Sequence, residues 1–301
     1  MSSSIHRRGF LQTVGAAAGL ALVSLHGSRA GAFAPAAGAP HAEKLGWHLG
    51  CQAYSFNRYT FFEAVDKTAS LGLHYIEAYP GQKMSGEKPD AKIDESLSPE
   101  LRREVKAKLA DCGVRLVNYG VCGLSKDMDA SRKTFEFAKD MGIETIVSEP
   151  APDAFDTIEK LCDEYQLNVA LHNHPKPSRY WNPDTVLEMC QGRSKRIGAC
   201  ADTGHWMRSE LNPVEQLKKL EGRIISFHFK DLNKFGGGAH DVPWGTGAGN
   251  VKAMLAEIQR QGIKNAVFSI EYEYNWENSV PEIAQGVAYF DKVAAELAGR
   301  A

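Results

Sequence analysis

The chain has 301 residues, of which 43% are hydrophobic and 24% charged, with a formal net charge of -2. That is the make-up of a globular protein with a sizeable core. Lys and Arg number 35 against 37 Asp and Glu, and no basic run stands out, which argues against a nucleic-acid-binding surface.

Residues 1–32 read as an export signal. A basic start with Arg7-Arg8-Gly9-Phe10-Leu11 precedes an Ala- and Gly-rich apolar stretch over 14–25, and small residues follow around Ser28-Arg29-Ala30. This is the layout of a secretory signal. The apolar stretch is shorter than the roughly 20 residues that span a bilayer, so stable membrane insertion is not expected. The Arg-Arg-Gly-Phe-Leu run resembles a twin-arginine signal; a general secretion signal that happens to hold two arginines is the alternative. Either implies handling by export machinery and a periplasmic or otherwise exported protein. Residues 33–45, rich in Pro, Ala and Gly, read as a linker, and 46–301 as the catalytic domain. The six cysteines form no Cys-x-x-Cys pair, so zinc-ribbon spacing is absent and most are expected to be small core residues.

From Trp47 onward, short apolar runs alternate with amphipathic stretches in eight units. Strands are expected at 48–54, 73–78, 114–119, 143–148, 167–173, 197–201, 224–229 and 265–270. The helices that follow them are expected at 61–71, 99–112, 130–141, 154–165, 183–190, 213–220, 251–261 and 283–297. Glycine stands at helix ends in Leu71-Gly72, Cys112-Gly113, Met141-Gly142 and Gln261-Gly262, where a left-handed residue turns the chain back. Repeated strand–helix alternation implies parallel strands with helical crossovers, and eight units imply a single α/β (β/α)8 TIM barrel. An open doubly wound sheet would normally carry a Gly-rich turn after its first strand; here that turn reads Ala53-Tyr54-Ser55-Phe56-Asn57.

Active sites of such barrels lie at the C-terminal strand ends. Strands four to eight end in Glu149-Pro150, His172-Asn173-His174, Asp202-Thr203-Gly204-His205, His228-Phe229-Lys230-Asp231 and Glu271-Tyr272-Glu273. Side chains two apart share a face. Glu149 therefore goes with Val147 and Thr145, Asp202 with Cys200 and Gly198, His228 with Ser226 and Ile224, and Glu271 with Ser269 and Val267. Ile146, Phe227, Phe229, Phe268 and Ile270 take the opposite face, under the helices. Three carboxylates and an imidazole converging on one axis would repel one another without a cation. One divalent metal ion is expected on Glu149, Asp202, His228 and Glu271, with Mn2+ first and Mg2+, Co2+ or Zn2+ as alternatives. His174, Lys230, Glu77 and Trp244 are further candidates for substrate contact. His172 shares the parity of His174 but reads equally well as a core histidine.

With Ser148-Glu149-Pro150, Asp202-Thr203-Gly204-His205, His228-Phe229-Lys230-Asp231, Val242-Pro243-Trp244-Gly245-Thr246-Gly247 and Glu271 in this order, the chain resembles the xylose isomerase-like barrels. It is most like their sugar phosphate isomerase/epimerase group, which includes ketose 3-epimerases and hydroxypyruvate isomerases. The resemblance runs from Trp47 to the C-terminus. It implies proton transfer through a metal-bound enediolate, with Glu149 and Glu271 as base and acid and His205 holding a substrate oxygen. The family's basic substrate contact after strand seven has only Lys234 as its nearest counterpart, and the export signal argues against a phosphorylated intermediate. The expected substrate is therefore a small non-phosphorylated sugar or keto sugar. A lyase or hydratase acting on 3-keto-glycosides is the runner-up. A metal-dependent hydrolase and a non-catalytic sugar-binding barrel follow, and a homo-oligomer is left open.

Overall fold

Strands that are apolar on both faces need cover on both, and this chain supplies it by alternating them with helices that carry one apolar stripe. A computed structural model describes residues 37–299; the export signal expected over 1–32 lies outside the described residues. The strands are β1 (Trp47–Gln52), β2 (Tyr75–Ala78), β3 (Arg115–Cys122), β4 (Thr145–Ser148), β5 (Asn168–His172), β6 (Ile197–Asp202), β7 (Ile224–Phe229) and β8 (Ala266–Ile270). They pair in parallel in sequence order, and β8 closes on β1. The expected single (β/α)8 barrel is what forms.

The helices are α1 (Pro40–Lys44), α2 (Phe61–Ser70), α3 (Pro99–Asp111), α4 (Met128–Met141), α5 (Phe155–Tyr165), α6 (Pro183–Cys190), α7 (Thr203–Arg208), α8 (Pro213–Lys219), α9 (Val251–Arg260) and α10 (Val280–Ala298). Their starts follow local chemistry: Thr60 and Glu63 form a reciprocal capping box on α2, and the Ser98, Asp127, Asn182 and Asn212 side chains accept amide hydrogens at the starts of α3, α4, α6 and α8. Two elements differ from expectation. The stretch read as linker contains α1, which is docked on α10: Asp291 accepts the amides of His41 (2.7 Å) and Ala42 (3.1 Å) and pairs with the His41 ring. Burial of Ala42 completes the contact. The second is α7, a short helix directly after β6 whose first turn is capped by Asp202.

The strand faces sort as the period of two requires. Ile146, Phe227, Phe229, Phe268 and Ile270 lie in the core between barrel and helices, with Phe227 stacked on Phe268 at 4.4 Å. The barrel interior holds one cluster of Tyr75, Val117 and Val267 and another of Val147, Ala170 and Cys200. One parity fails. Ile224, expected inside with Ser226, packs on the outer core, and Ile225 turns in against Val147 and its neighbours. The register slips between Ala199 and Cys200, opposite Ile224 and Ser226, so a bulge reverses the alternation there. Gly198 makes room for it, since a Cβ would lie 2.2 Å from the Arg223 carbonyl oxygen and 2.9 Å from Ile225 Cδ1. All six cysteines are free, five of them buried.

Candidate functional site

One strand step above the apolar interior, the same inward faces become ionic. Glu77 is next to last on β2, His172 ends β5, Asp202 ends β6 and His228 lies on β7, while Glu271 follows β8. His172, Asp202, His228 and Glu271 are all buried, and one ligand atom from each lies within 4.8 Å of the others. Three of the four expected metal ligands thus come together, but with His172 in the fourth place. Glu149 stands one residue past the end of β4, where its carboxylate is 19% exposed. It joins His172 and His174 in an adjoining group, its Oε1 lying 3.0 Å from His172 Nδ1 and 2.6 Å from His174 Nδ1.

Each member of the buried group is held by a second contact. Asp202 Oδ1 caps α7 by accepting the His205 amide at 2.7 Å, which leaves Oδ2 facing the centre. His228 Nδ1 lies 3.1 Å from Glu271 Oε2, and its Nε2 lies 2.8 Å from Glu77 Oε1. Glu77 is held in turn by Ser269 Oγ, which donates to Oε2 at 2.6 Å, and more loosely by Gln52 and Asn118. Glu77, expected to orient a substrate hydroxyl or a ligand, is fully buried and lies against His228. A carboxylate behind a histidine fixes the ring and raises its strength as a ligand. His172 Nε2 lies 3.4 Å from Asp202 Oδ2 without an aligned hydrogen bond, and this buried nitrogen has no hydrogen-bond partner. Such an orphan costs free energy unless something else satisfies it. An unpartnered imidazole nitrogen beside two carboxylates and a second histidine is the donor set of a divalent cation, so the buried cluster fits a metal ion.

Lys230 was expected to face the site or to pair with Asp231 at the rim. It follows β7 and faces the site, fully buried, with Nζ 2.6 Å from Asp202 Oδ2, in contact with Glu271 Oε2 and 3.4 Å from Glu273 Oε2. Burial opposes charge on the ammonium, but these three carboxylates hold its pKa well above the usual lysine value. Against their own burial, Asp202 is held well below the carboxylate range by His205 and Lys230, and Glu271 by Lys230 and His228. Burial also opposes ionisation of Glu149, and His172 and His174 overcome it and push its pKa down.

His205 sits on α7. Burial lowers its pKa well below the histidine value, and Arg208 Nη1 lies 3.0 Å from its Nδ1. A guanidinium can only donate, so Nδ1 accepts and the proton of the neutral ring is on Nε2. Arg208 is anchored by Glu273 and by Asp241 at 3.1 Å. Burial pushes the Asp241 carboxyl up to about 7. Arg208, Glu273 and Asp241 had no role in the sequence reading, because they meet only when α7, β8 and the loop after β7 converge.

Trp244 is a further correction: it is 4% exposed and packs on Phe229 and Phe290 at ring distances of 5.1 and 5.4 Å, away from the strand-end cleft. The glycines beside it serve Asp231, whose carboxylate accepts the amides of Gly245, Gly247 and Gly249 at 2.9–3.0 Å. That nest ties the loop after β7 to the end of its own strand.

A cleft of about 280 Å³ opens beside Glu271, Glu273 and His174 and is walled by Tyr54 and Tyr79. A hollow of about 420 Å³ between the Glu43–Trp47 turn and residues 259–264 holds no comparable cluster.

The family model for the xylose isomerase-like TIM barrel matches residues 65–293. Among solved structures, an uncharacterised protein from Parabacteroides distasonis is 32% identical, with a TM-score of 0.66 over 81% of this chain and 97% of that one. A D-tagatose 3-epimerase-like protein is 18% identical, with a TM-score of 0.63 over 84% of this chain and 98% of that one. A xylose isomerase-like TIM barrel protein from Mycobacterium smegmatis, solved in complex with magnesium, is 14% identical, with a TM-score of 0.64 over 83% of this chain and 97% of that one. No curated protein matches the chain. The family match runs from α2 into α10 and takes in every strand from β2 to β8, so this protein belongs to the xylose isomerase-like TIM barrel family.

Proposed function

We propose that the protein is a divalent-metal-dependent isomerase or epimerase of a small, non-phosphorylated sugar or keto sugar. The observation that carries this reading is the buried His172, Asp202, His228 and Glu271 group, with its unpartnered imidazole nitrogen, beside a cleft lined by Glu271 and Glu273. Asp202, His228 and Glu271 would hold the cation with His172 or Glu149, and Mn2+ is our first choice. A bound divalent cation supplies Lewis acidity, which lowers the pKa of a C–H beside a carbonyl.

The chain's own residues do the rest. Glu149, kept ionised by its two histidines and partly exposed, is the proton acceptor, and Glu271 at the cleft floor is its counterpart. His205, neutral with its proton on Nε2, donates a hydrogen bond to a substrate oxygen. Tyr54 and Tyr79 offer apolar faces to a sugar. No Lys or Arg lines the cleft, and Lys230 and Arg208 are engaged by carboxylates. A phosphate would meet Glu271 and Glu273 without a free cation, which supports a neutral substrate. Export by the twin-arginine route belongs to the same proposal.

The test is to load the protein with Mn2+, incubate it with neutral ketoses in D2O, and follow deuterium entry beside the carbonyl by NMR. Exchange and epimer formation that stop on chelation are expected. Expulsion of an aglycone from 3-keto-glycosides, without epimers, would replace this reading by a lyase. A protein that binds no divalent cation and exchanges no sugar would overturn it.

A further inference from the structure

Lys230 is the one fully buried ammonium among the described residues. Its place is built into the fold. Thr203 Oγ1 donates to the Lys230 carbonyl and accepts from the Lys230 amide, both at 2.8 Å. Gly204 leaves room for the side chain, because a Cβ there would lie 2.6 Å from Lys230 Cδ and 2.7 Å from its Cβ. The stem is thus clamped between β7 and the start of α7. Its Nζ contacts Asp202 Oδ2 and Glu271 Oε2. These are the same two oxygens that His172 Nε2 approaches at 3.4 Å and His228 Nδ1 at 3.1 Å. A cation held by this group must share both oxygens with a fixed positive charge.

We propose that Lys230 is a resident cation of the centre, holding Asp202 and Glu271 in place before a metal arrives and weakening divalent metal binding once it does. The proposal rests on the reading of this group as a metal centre. It separates two properties that a bracing lysine would leave coupled. Without the ammonium, two buried carboxylates face each other uncompensated, which destabilises the metal-free fold. The same change removes a positive charge that repels the incoming cation.

The experiment compares the full-length protein with Lys230→Met, both stripped by chelation and dialysed. Each is titrated with Mn2+ by calorimetry, and thermal unfolding is followed with and without Mn2+. We expect the metal-free variant to melt lower than the parent, to bind Mn2+ at least about tenfold more tightly, and to gain more in Tm from Mn2+. Tenfold is the order of effect of one charge a few ångströms from a divalent cation even at the dielectric of water. Should the methionine variant fail to fold, Lys230→Gln puts an uncharged amide donor in place of the ammonium, and the same tightening is expected. If the parent binds Mn2+ and neither variant binds it more tightly, Lys230 is a brace and the inference fails. If the parent takes up no divalent cation, the metal-centre reading itself fails and this inference with it.

Discussion

Two layers of the barrel interior, one strand step apart, obey opposite rules. On β2 the inward residues run from Tyr75 to Glu77, on β5 from Ala170 to His172, on β6 from Cys200 to Asp202, and on β8 from Val267 through Ser269 to Glu271. The lower layer is an apolar cluster in which Tyr75 packs with Val117 and Val267. In the upper layer every buried charge has a named partner of opposite sign: Lys230 with Asp202 and Glu271, His228 with Glu77. Apolar contacts are non-directional and tolerate trimming at a cost that scales with the atoms removed. A buried ion pair contributes little as a pair but costs several kcal/mol when only one member is lost. The barrel concentrates its tolerance at one level and its intolerance at the next.

Three substitutions sharpen or break that contrast. The largest expected effect is Asp202→Ala. It takes a partner from the Lys230 ammonium and the cap from α7, and should lower unfolding stability by about 3–5 kcal/mol in a denaturant titration. A loss below 1 kcal/mol would show that Glu271 and Glu273 alone satisfy Lys230. Next is Glu77→Gln, which keeps the shape and weakens the carboxylate behind His228. Mn2+ affinity measured by calorimetry should fall about 10–100-fold while far-UV circular dichroism stays unchanged. Unaltered affinity would mean that Glu77 has no hold on the centre. Smallest is Val267→Ala in the lower layer. It should cost about 1–2 kcal/mol through lost burial and leave the Mn2+ dissociation constant where it was. A change in metal affinity there would show that the two layers are coupled through β8.

Much of the upper layer was legible in the sequence because a strand's period of two is rigid. Asp202, His228 and Glu271 each sit an even step from an inward residue, and they meet. Glu149 and Glu271 each lie one residue past their strands, but the Glu149 carboxylate turns to His172 and His174, a pairing that parity alone does not foretell. His172 obeyed the parity, but a single strand cannot tell a ligand from a core histidine; its unpartnered Nε2 is visible only once β6 lies beside it. Ile224 was misplaced because a bulge is a property of two strands and not of one.

What the chain decided locally was therefore the eight-unit alternation, the capped helix starts, and which residues each strand aims at the axis, since these depend on backbone sterics and neighbours a few positions away. Tertiary structure alone decided that α1 docks on α10, that Trp244 packs with Phe229 and Phe290, and that Lys230 is enclosed by Asp202, Glu271 and Glu273. Each of these depends on groups far apart in the chain meeting in a water-excluded space. There an ion's energy is set by the charges that surround it and not by its own position in the sequence.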